Sequence, residues 1–452
     1  MTPRPSVLLT DLYQLSMLDV YRRCGMAQTA VFEFFVRKLP SCRRFLVAAG
    51  LEQLIEYLES LRFTPEDVEW VRASGRFDPG FADYLRDVRF TGDVHAMPEG
   101  TVCFPDEPLV RVTAPMPQAQ LVETRLINLI QFQTLLASKA ARFALVAPDA
   151  FLVDFGLRRA HGAEAGLLGA RAVFLAGFSG TATVSADAAF GVPVYGTMAH
   201  SFIQAHDDEA QAFANFSRYQ SRNVVLLLDT YDTEAAARKV VALAPTLTRE
   251  GITIKGVRLD SGDLGDHARK VRAILDAGGL TNATIFASGN LDEYAVRDLV
   301  TSGAPINGFG VGSRLMTSSD APYLDCAYKL QEYARRARRK RSEGKATWPG
   351  RKQVYRRYDL DGRMIEDLVT LDGDLQDGEP LLAPVMRGGK RLSPPRPLSE
   401  IRDYTREQLA TLPDALRTLD GDASYPVRVA PAVLALADAV DRVEGVSPPA
   451  RR

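Results

Sequence analysis

Short apolar runs that end in polar or glycine-rich clusters recur through the middle of the chain, between residues 150 and 315. A stretch with helical periodicity follows each cluster, and successive clusters are separated by about the length of one βα unit. Continuous apolar runs of this kind are typical of buried parallel strands. The pattern predicts an irregular α/β barrel, with an open, doubly wound sheet as the alternative. The six clusters are DFGLRR (154–159), YGTMAH (195–200), LLLDTYD (226–232), GVRLDSGD (256–263), IFASGN (285–290) and GFGVGSR (308–314).

The regions on either side of this repeat have other patterns. An N-terminal α/β domain is predicted over residues 1–148 and the barrel over 149–330. A small C-terminal mixed region is predicted over 331–452, where it completes the N-terminal domain or surrounds the barrel. Helical periodicity and β-branched or aromatic runs predict the individual elements. These are helices at 11–23 (capped by Thr10), 50–61, 64–75, 117–147 and two within 402–443, strands at 29–39 and within 353–386, a solvated loop at 333–352 and a frayed tail at 445–452.

The overall charge and the cysteine pattern narrow the class of protein. Lysine and arginine number 55 and aspartate and glutamate 56, which leaves a formal net charge of -1. Because nucleic-acid binders usually carry a basic excess, this balance argues against nucleic acid as a partner. The four cysteines are scattered without metal-ligand spacing, as in a reduced cytosolic protein. Neither a signal peptide nor a membrane-spanning run is read from the chain, so a cytoplasmic protein with no membrane partner is expected.

Two glycine-containing loops point to phosphate. Ligands bind at the carboxyl ends of the strands in both candidate architectures, and all six clusters stand there. Ser288, Gly289 and Asn290 precede a predicted helix, so their N–H groups can meet an anion at the start of that helix. Gly310 and Gly312 permit close approach of the backbone to a ligand. Two such loops in succession favour a phosphate site over simple tight turns.

The carboxylates in LDSGD and LLLDTYD suit a ribose diol or a Mg²⁺ ion that bridges phosphates. Asp260 and Asp263 flank a Ser-Gly turn, and Asp229 and Asp232 form a second pair. Each of these residues can instead cap a helix, which aspartate does routinely. Forked donors for phosphate or carboxylate come from the arginines of the same clusters, namely Arg158, Arg159 and Arg258.

His200 is the histidine that these neighbours single out. A histidine taken alone is more often a core or capping residue than a catalytic one, since a catalytic role needs partners. In a cleft rich in carboxylates and anion ligands, a neutral imidazole can accept a proton or a phosphoryl group. Thr197 or Ser201 is expected to orient the ring. The surrounding clusters therefore favour a functional role for His200.

Six motifs taken together resemble the nicotinate phosphoribosyltransferase family: LLTDLYQLSM, FEFFVRKLP, FGLRRAHG, YGTMAHSF, VRLDSGDL and FGVGSRL. They follow the family's order over residues 8–330, and an ordered set is far more specific than one motif. The resemblance implies a type II phosphoribosyltransferase fold and a homodimer with shared active sites. It also implies the reaction, in which nicotinate and phosphoribosyl pyrophosphate give nicotinate mononucleotide and pyrophosphate for NAD biosynthesis. ATP hydrolysis is coupled to this ligase-like formation of a C–N bond through a phosphohistidine, with Mg²⁺ as the expected cofactor.

The resemblance also implies roles for individual residues. His200 in YGTMAHS matches the phosphorylated histidine, and catalysis is assigned to His200 and Asp260. Tyr13 in TDLYQ matches the aromatic residue that closes the pyridine site from the partner subunit. The other assignments are the pyridine ring (Phe155) and its carboxylate (Arg158), phosphate and ribose (Arg258, Asp260), the 5′-phosphate loops (Ser288, Gly289, Asn290, Gly310, Gly312), the vicinity of the histidine (Thr197, Ser201) and a metal near the diphosphate (Asp229).

The segment SGTATV (179–184) bears on the choice of substrate. The similar nicotinamide phosphoribosyltransferases carry an aspartate there that bonds the amide, whereas this chain has Ala182 and no acid. Since an aspartate would repel a carboxylate, its absence favours nicotinate. Nicotinamide phosphoribosyltransferase stays an alternative, and a sugar-phosphate lyase or aldolase barrel is another. Such a barrel usually needs a Schiff-base lysine, for which Lys255 is the candidate.

Overall fold

The structure, a computed structural model, describes residues 6–443, and the frayed tail predicted at 445–452 lies outside the described residues. The chain forms two compact units. The first unit joins the residues up to 138 with 323–416 and the residues from 421 onward. The second unit comprises 139–322 and 417–420. The first unit is therefore built from both ends of the chain.

Local capping rules account for the ends of several helices in the N-terminal part. The Thr64 hydroxyl accepts from the Asp67 N–H while the Asp67 carboxylate accepts from the Thr64 N–H, which forms a capping box. Thr10 does not cap the first helix as predicted: Asp11 holds the N-cap position, and its carboxylate accepts from Thr124. The elements are α1 (Leu12–Arg23), β1 (Thr29–Lys38), β2 (Leu46–Val47), α2 (Leu51–Ser60), α3 (Pro65–Ala73), α4 (Phe81–Leu85), β3 (Asp93–Ala96), β4 (Val102–Cys103), β5 (Pro108–Pro115), α5 (Met116–Leu121) and α6 (Glu123–Val146).

Two helices, α5 and α6, stand where one helix over 117–147 is predicted, because α5 ends at its C-cap residue Val122. The C-terminal part is mostly strand until three helices close it. Its elements are β12 (Asp325–Tyr333), β13 (Arg336–Ala337), β14 (Lys352–Tyr358), β15 (Met364–Leu371), β16 (Glu379–Pro380), β17 (Ala383–Arg387), β18 (Lys390–Arg391), α15 (Leu398–Thr411), α16 (Asp414–Arg417), β19 (Val427–Val429) and α17 (Pro431–Val443).

Antiparallel pairing organises the sheets of the first unit, apart from the parallel pair of β15 with β19. A seven-stranded sheet has the order β13-β12-β1-β5-β3-β17-β18, and its neighbouring strands are antiparallel. A four-stranded sheet has the order β16-β14-β15-β19, and β2 pairs with β4 in a short ribbon. The strand β1 is aromatic and β-branched, and it is buried along most of its length. The strand predicted at 29–39 is therefore an interior strand of the largest sheet, between β12 and β5.

The basic stretch at 333–352 is the predicted solvated loop only in part, because residues 342–346 are exposed and irregular while its other residues include a strand and buried positions. β13 pairs with β12 in a hairpin. Arg339 and Arg341 each form an ion pair of 3.3 Å with Asp441, whose side chain is 2% exposed. A buried carboxylate is destabilising unless it is paired. The ion pairs with Asp441 therefore hold the guanidinium groups of Arg339 and Arg341 against the folded chain.

The second unit is a curled parallel sheet with helices around it. Its strands have the order β7-β6-β11-β10-β9-β8, and all neighbours are parallel. The predicted α/β class and irregular barrel are confirmed. The elements are β6 (Phe151–Asp154), a 3₁₀ turn (Leu157–Arg159), α7 (Ala163–Leu175), β7 (Gly180–Thr181), α8 (Val184–Phe190), α9 (His200–Gln204), α10 (Glu209–Tyr219), β8 (Val224–Leu227), α11 (Thr233–Arg249), β9 (Ile254–Leu259), α12 (Leu264–Ala277), β10 (Thr284–Ser288), α13 (Glu293–Thr301), β11 (Gly308–Val311) and α14 (Ser313–Met316).

The register of these strands brings the polar clusters to one edge of the sheet. Arg258 on β9 is level with Leu227 on β8 and with Phe286 on β10. Five clusters follow β6, β8, β9, β10 and β11 directly, as predicted. The cluster YGTMAH does not follow a regular strand, because the preceding run makes a single bridge, from Val194 to Thr181 on the two-residue strand β7.

Apolar packing holds this edge in place. Side chains of β8 and β9 pack with those of α11, among them Leu226, Val257 and Val240, which are fully buried. Burial of such side chains is the main stabilising contribution in a fold of this kind. None of the helices within residues 6–443 has the length and apolar character needed to cross a membrane.

Candidate active site

His200 opens the short helix α9 and lies among polar side chains from neighbouring strand ends. Its Nδ1 is 3.2 Å from the Thr230 hydroxyl. Its Nε2 is 3.7 Å from Asp260 Oδ2 and 4.0 Å from Asp229 Oδ1, distances too long for hydrogen bonds. The side chain is 39% exposed, so a ligand can reach the ring. One hydrogen bond therefore orients the imidazole, which faces two carboxylates.

Asp229 has one oxygen that the protein itself uses and one that it does not. The Asp229 side chain is 3% exposed, and its Oδ2 accepts from the Asp260 N–H and from the Ser261 hydroxyl. Its Oδ1 has no hydrogen-bond partner among the described residues. A buried acceptor without a partner is unfavourable and is a common mark of a ligand or ion site. Asp229 Oδ1 therefore suits an added cation or donor.

Arg258 is the centre of a hydrogen-bond network around Asp260. Its Nη2 donates to Asp260 Oδ1 at 2.8 Å, and its Nε donates to Ser288 Oγ at 2.8 Å. The Ser288 hydroxyl in turn donates to Asp260 Oδ1. Burial by itself would raise the pKa of Asp260, but the hydrogen bonds from Ser288 and Arg258 outweigh burial and lower that pKa below its ordinary value. Asp260 is therefore ionised at neutral pH and can accept hydrogen bonds from a ribose diol.

The two aspartate pairs divide their roles between the site and helix capping. Asp232 accepts from the Ala235 N–H at 2.6 Å and caps α11, and Asp263 accepts from the Asp266 N–H at 3.0 Å and caps α12. The other member of each pair, Asp229 or Asp260, faces His200. The capping interpretation is thus confirmed for Asp232 and Asp263, whereas the ligand role of Asp229 and Asp260 stays a prediction.

The glycines of the two loops are required by close approach of the backbone. Gly289 has a φ of +94°, and a Cβ at this position would lie 2.0 Å from the Asp260 carbonyl oxygen. At Gly310 a Cβ would lie 2.6 Å from the Phe155 ring. Ser288 pairs with Gly310 in the sheet, so the loops that carry Gly289 and Gly312 are neighbours. The role predicted for Ser288, Gly289, Asn290, Gly310 and Gly312 in holding a phosphate stays a prediction.

Phe155 and Arg158 stand together after β6. The Phe155 ring centroid is 5.4 Å from the Arg258 guanidinium carbon and 5.8 Å from the Phe286 ring centroid. Arg158 is exposed in the 3₁₀ turn and makes no hydrogen bond or ion pair with the described residues. Ala182 is exposed at the end of the neighbouring strand β7. A partly exposed ring and an exposed guanidinium three residues further along the chain suit a planar aromatic acid.

Other candidates lie outside this network. Tyr13 belongs to the first unit, where it is 47% exposed on α1. Ser201 is exposed on α9. His206 bonds to the Phe202 carbonyl at 2.8 Å and to the Asn215 amide at 3.2 Å, so it has a structural role at the end of α9.

The lysine that an aldolase would need is not among the clustered residues. Lys255 is exposed near the start of β9, whereas the cluster of that strand follows its carboxyl end. A Schiff-base mechanism therefore gains no support from the geometry.

Thr230 and Asp154 are the residues that sequence analysis missed. Thr230, rather than Thr197 or Ser201, bonds the imidazole of His200, and the Thr197 hydroxyl instead accepts from Arg258 at 3.2 Å. The signal for Thr230 was its position directly after a candidate carboxylate at a strand end. Asp154 is fully buried directly before Phe155, and its carboxylate accepts from the Gly156 N–H and the Thr181 hydroxyl.

A histidine, two carboxylates, an arginine network and two glycine loops thus meet at the carboxyl edge of one parallel sheet. This combination defines an α/β-barrel enzyme for a phosphorylated sugar or nucleotide. Three family models match the chain in order: the nicotinate phosphoribosyltransferase N-terminal domain over residues 8–131, the family's main domain over 151–346 and its C-terminal domain over 374–437. The chain belongs to the nicotinate phosphoribosyltransferase family, and the resemblance inferred from its motifs is confirmed.

Similar proteins cover nearly the whole chain. Nicotinate phosphoribosyltransferase pncB2 of Mycobacterium tuberculosis is 46% identical over 424 residues, which are 93% of this chain and 91% of that protein. Nicotinate phosphoribosyltransferase of Bacillus subtilis is 41% identical over 356 residues, 77% of this chain and 72% of that protein. The crystal structure of human nicotinic acid phosphoribosyltransferase has a TM-score of 0.86 at 29% identity and covers 96% of this chain and 100% of that chain.

Proposed function

We propose that this protein is an ATP-coupled nicotinate phosphoribosyltransferase, which makes nicotinate mononucleotide and pyrophosphate for NAD biosynthesis. The observation that carries the proposal is the meeting of His200 with Asp229, Asp260 and the Arg258 network at the carboxyl ends of β8, β9 and β10. The names of its relatives supply nicotinate as the acceptor and a phosphoribosyl group as the group transferred, and phosphoribosyl pyrophosphate is the proposed donor.

The turn after β6 is proposed to bind nicotinate. Phe155 offers one ring face, and the free guanidinium of Arg158 offers two parallel donors to a carboxylate. Ala182 leaves the neighbouring segment without an acid, which favours nicotinate over nicotinamide because no carboxylate opposes that of the substrate. Nicotinamide stays the alternative substrate.

The loops after β9, β10 and β11 are proposed to hold phosphoribosyl pyrophosphate. Asp260 accepts from the ribose hydroxyls and Arg258 stabilises the diphosphate, while the 288–290 and 310–312 loops surround the 5′-phosphate. The pyridine nitrogen uses its lone pair to attack the anomeric carbon as the bond to pyrophosphate breaks. No proton moves in this step, so positioning and stabilisation of charge supply the catalysis.

His200 is proposed to couple ATP to this reaction. An imidazole nitrogen attacks the γ-phosphorus of ATP, the bond to ADP breaks, and water later releases the phosphoryl group as phosphate. Thr230 holds the ring during the attack through its bond to Nδ1. The exposure of the ring provides access for the nucleotide.

Mg²⁺ is proposed as the cofactor, and two aspartates fit it. Asp229 Oδ1 is buried, has no hydrogen-bond partner among the described residues and lies 4.0 Å from His200 Nε2. Asp260 Oδ2 lies 3.7 Å from the same nitrogen. No cluster of three or more metal-binding side chains occurs in the described part of the chain. Mg²⁺ is usually held by one or two carboxylates together with substrate phosphates, and when bound it neutralises phosphate charge.

A homodimer with shared sites completes the proposal. Tyr13 is exposed on α1 beside further exposed apolar residues, Leu9, Leu12 and Val20. An exposed apolar stripe of this kind is suited to contact with a second copy of the chain. Tyr13 would then cover the pyridine ring bound by the partner subunit.

The proposal is tested by release of pyrophosphate from phosphoribosyl pyrophosphate, with nicotinate or nicotinamide and with or without ATP and Mg²⁺. We expect release with nicotinate, stimulation by ATP, and turnover of nicotinamide that is lower by at least about tenfold. Equal use of both pyridines would exclude the assigned specificity. Absence of pyrophosphate release under all conditions would exclude the activity.

A further inference from the structure

Asp154 is a buried carboxylate that the proposed chemistry does not use. It ends β6, its side chain is fully buried, and it makes no ion pair with any described residue. Burial raises the pKa of this carboxyl to about 6. A buried, unpaired carboxylate is unfavourable for a fold, and such groups persist mainly where a site needs them. The contacts of Asp154 indicate what it is needed for.

Two hydrogen-bond donors converge on this carboxylate from opposite sides. The Gly156 N–H donates to Oδ1 at 2.7 Å, and the Thr181 hydroxyl donates to Oδ2 at 2.7 Å. The Thr181 oxygen also accepts from the Thr183 N–H at 3.0 Å. The Gly156 N–H needs an acceptor at Oδ1, and the Thr181 hydroxyl can donate to Oδ2 while that oxygen carries no proton. The ionised carboxylate satisfies both donors at once.

These two donors belong to the two segments that form the proposed pyridine site. Gly156 lies between Phe155 and the turn that carries Arg158, and Thr181 directly precedes Ala182. The Asp154 carbonyl also accepts from the Ala182 N–H at 2.8 Å. Asp154 thus connects the segment that carries Phe155 and Arg158 with the segment that has Ala182 in place of an acid.

We propose that Asp154 is a positioning residue for nicotinate, which aligns the Phe155–Arg158 turn with the Thr181–Thr183 segment through its ionised carboxylate. This inference rests on the proposed function. It assigns no contact between Asp154 and the substrate, because the side chain is buried beneath the turn. It predicts that the KM for nicotinate depends on the charge of Asp154, whereas the KM for phosphoribosyl pyrophosphate does not.

Few of the described groups contact the Asp154 carboxylate, so its ionisation can be followed through the pH dependence of the kinetics. From the turn after β6 comes the Gly156 N–H and from β7 comes the Thr181 hydroxyl, and neither group is charged. As the pH falls through about 6, the carboxyl gains a proton and loses one of its two acceptor positions. Nicotinate use should then decline more than use of phosphoribosyl pyrophosphate.

The test compares Asp154→Asn with the wild-type protein by steady-state kinetics, with Asp441→Asn as a control for loss of a buried carboxylate in the first unit. For Asp154→Asn we expect the KM for nicotinate to rise about tenfold or more, with the KM for phosphoribosyl pyrophosphate changed by less than about twofold. The ratio of kcat/KM for nicotinate to that for phosphoribosyl pyrophosphate should fall below pH 6 in the wild type and stay constant in the variant. The control should leave both KM values at the wild-type level.

A second pair of variants keeps the test decisive if Asp154→Asn does not fold. Thr181→Val removes the hydroxyl donor and should raise the nicotinate KM, while Thr181→Ser restores the hydroxyl and should restore the KM. An unchanged nicotinate KM in Asp154→Asn and Thr181→Val would overturn the role of Asp154 and leave the proposed activity intact. An inactive wild-type protein would instead overturn the proposed function. Equal rises in both KM values would also overturn the inference, because they indicate general disorder of the site.

Discussion

Two arginine–aspartate pairs in this protein have nearly the same components and opposite surroundings. Arg258 bonds Asp260 at 2.8 Å and lies 5.4 Å from the Phe155 ring at the edge of the parallel sheet. Arg356 bonds Asp367 at 2.6 Å and lies 5.7 Å from the Phe104 ring inside the first unit. The side chains of the first pair are 14% and 29% exposed, and those of the second pair are both 0% exposed.

The two pairs differ in whether the aspartate has an oxygen that no protein donor occupies. Arg356 donates to both oxygens of Asp367, which also accepts from the Tyr425 hydroxyl at 2.9 Å. Both Asp367 oxygens are thus occupied by protein donors. Asp260 instead has its bonds from Arg258 and Ser288 on Oδ1, while Oδ2 faces His200. A fully satisfied pair fixes the fold, whereas a partly satisfied and accessible pair is able to bind a ligand.

Replacement of His200, whose imidazole lies beside the Arg258–Asp260 pair, should have the largest effect. With ATP and Mg²⁺, the wild-type protein should acquire an acid-labile phosphate on His200, because a phosphoramidate bond hydrolyses readily in acid. His200→Asn should abolish this label and the ATP coupling, whereas slow, ATP-independent nucleotide formation should survive through Arg258 and Asp260. Labelling with radioactive ATP and peptide mapping measures this. A label on His161 or His206 would contradict the role of His200.

The same substitution in each pair should separate activity from stability. Arg258→Gln should lower kcat/KM by about a hundredfold, because the donor proposed for the diphosphate is lost, and should lower the free energy of unfolding less than Arg356→Gln does, because Asp260 is partly exposed and keeps its bond from Ser288. Arg356→Gln should lower the free energy of unfolding by about 3–5 kcal/mol, since it leaves Asp367 buried without its cation, and should leave activity per folded molecule unchanged. Kinetics and denaturant unfolding of both variants measure the crossover. Similar losses of stability in the two variants would remove the distinction between the pairs.

The smallest expected effect concerns pH and the buried cluster. Burial and the charge of Asp367 hold the pKa of Glu107 well above its ordinary value of 4.5, and Arg356 opposes this only in part. Because the folded pKa is raised, the stabilisation by protonated Glu107 is complete below pH 4.5 and is lost as the pH rises toward the folded pKa. Relative to Glu107→Gln, the wild type should lose at most about 1.4 kcal/mol of unfolding free energy per pH unit in that range.

Asp260→Asn provides the control of opposite sign for this titration. The pKa of Asp260 lies below 3.8, so its stabilisation is present above pH 3.8 and is lost as the pH falls through the folded pKa. Unfolding free energies measured in urea between pH 3 and 9 cover both variants. A flat difference between wild type and Glu107→Gln across this range would show that Glu107 is charged in the folded protein.

Much of the barrel was predictable because its signals are local. Apolar runs, glycine turns and helical periodicity within a few residues predict β6, β8, β9, β10 and β11 and the clusters that follow them. The exceptions are also physical. The run before YGTMAH reads as a strand but has only the two residues of β7 beside it, and a strand needs a partner along its length.

The site was predictable as a set of residues but not as a set of contacts. From the sequence, four aspartates are equally good candidates for the site because each follows an apolar run: Asp229, Asp232, Asp260 and Asp263. Only the directions of the strand ends decide that Asp232 and Asp263 cap helices while Asp229 and Asp260 face His200. The hydroxyl that orients His200 comes from Thr230, 30 residues further along the chain, and its place after Asp229 at a strand end did not reveal which side chain it bonds.

By itself the sequence determined the α/β class, the carboxyl-end clusters and the family, because each depends on short-range pattern or on ordered motifs. The tertiary structure alone decided which side chains have spare hydrogen-bonding capacity. Asp367 is satisfied, Asp229 Oδ1 is not, and Asp154 accepts from two segments that are 25 residues apart at Gly156 and Thr181. Burial and hydrogen-bond geometry depend on all neighbours in space, so aspartates that are alike in the sequence differ in the hydrogen-bonding capacity that the fold leaves to them.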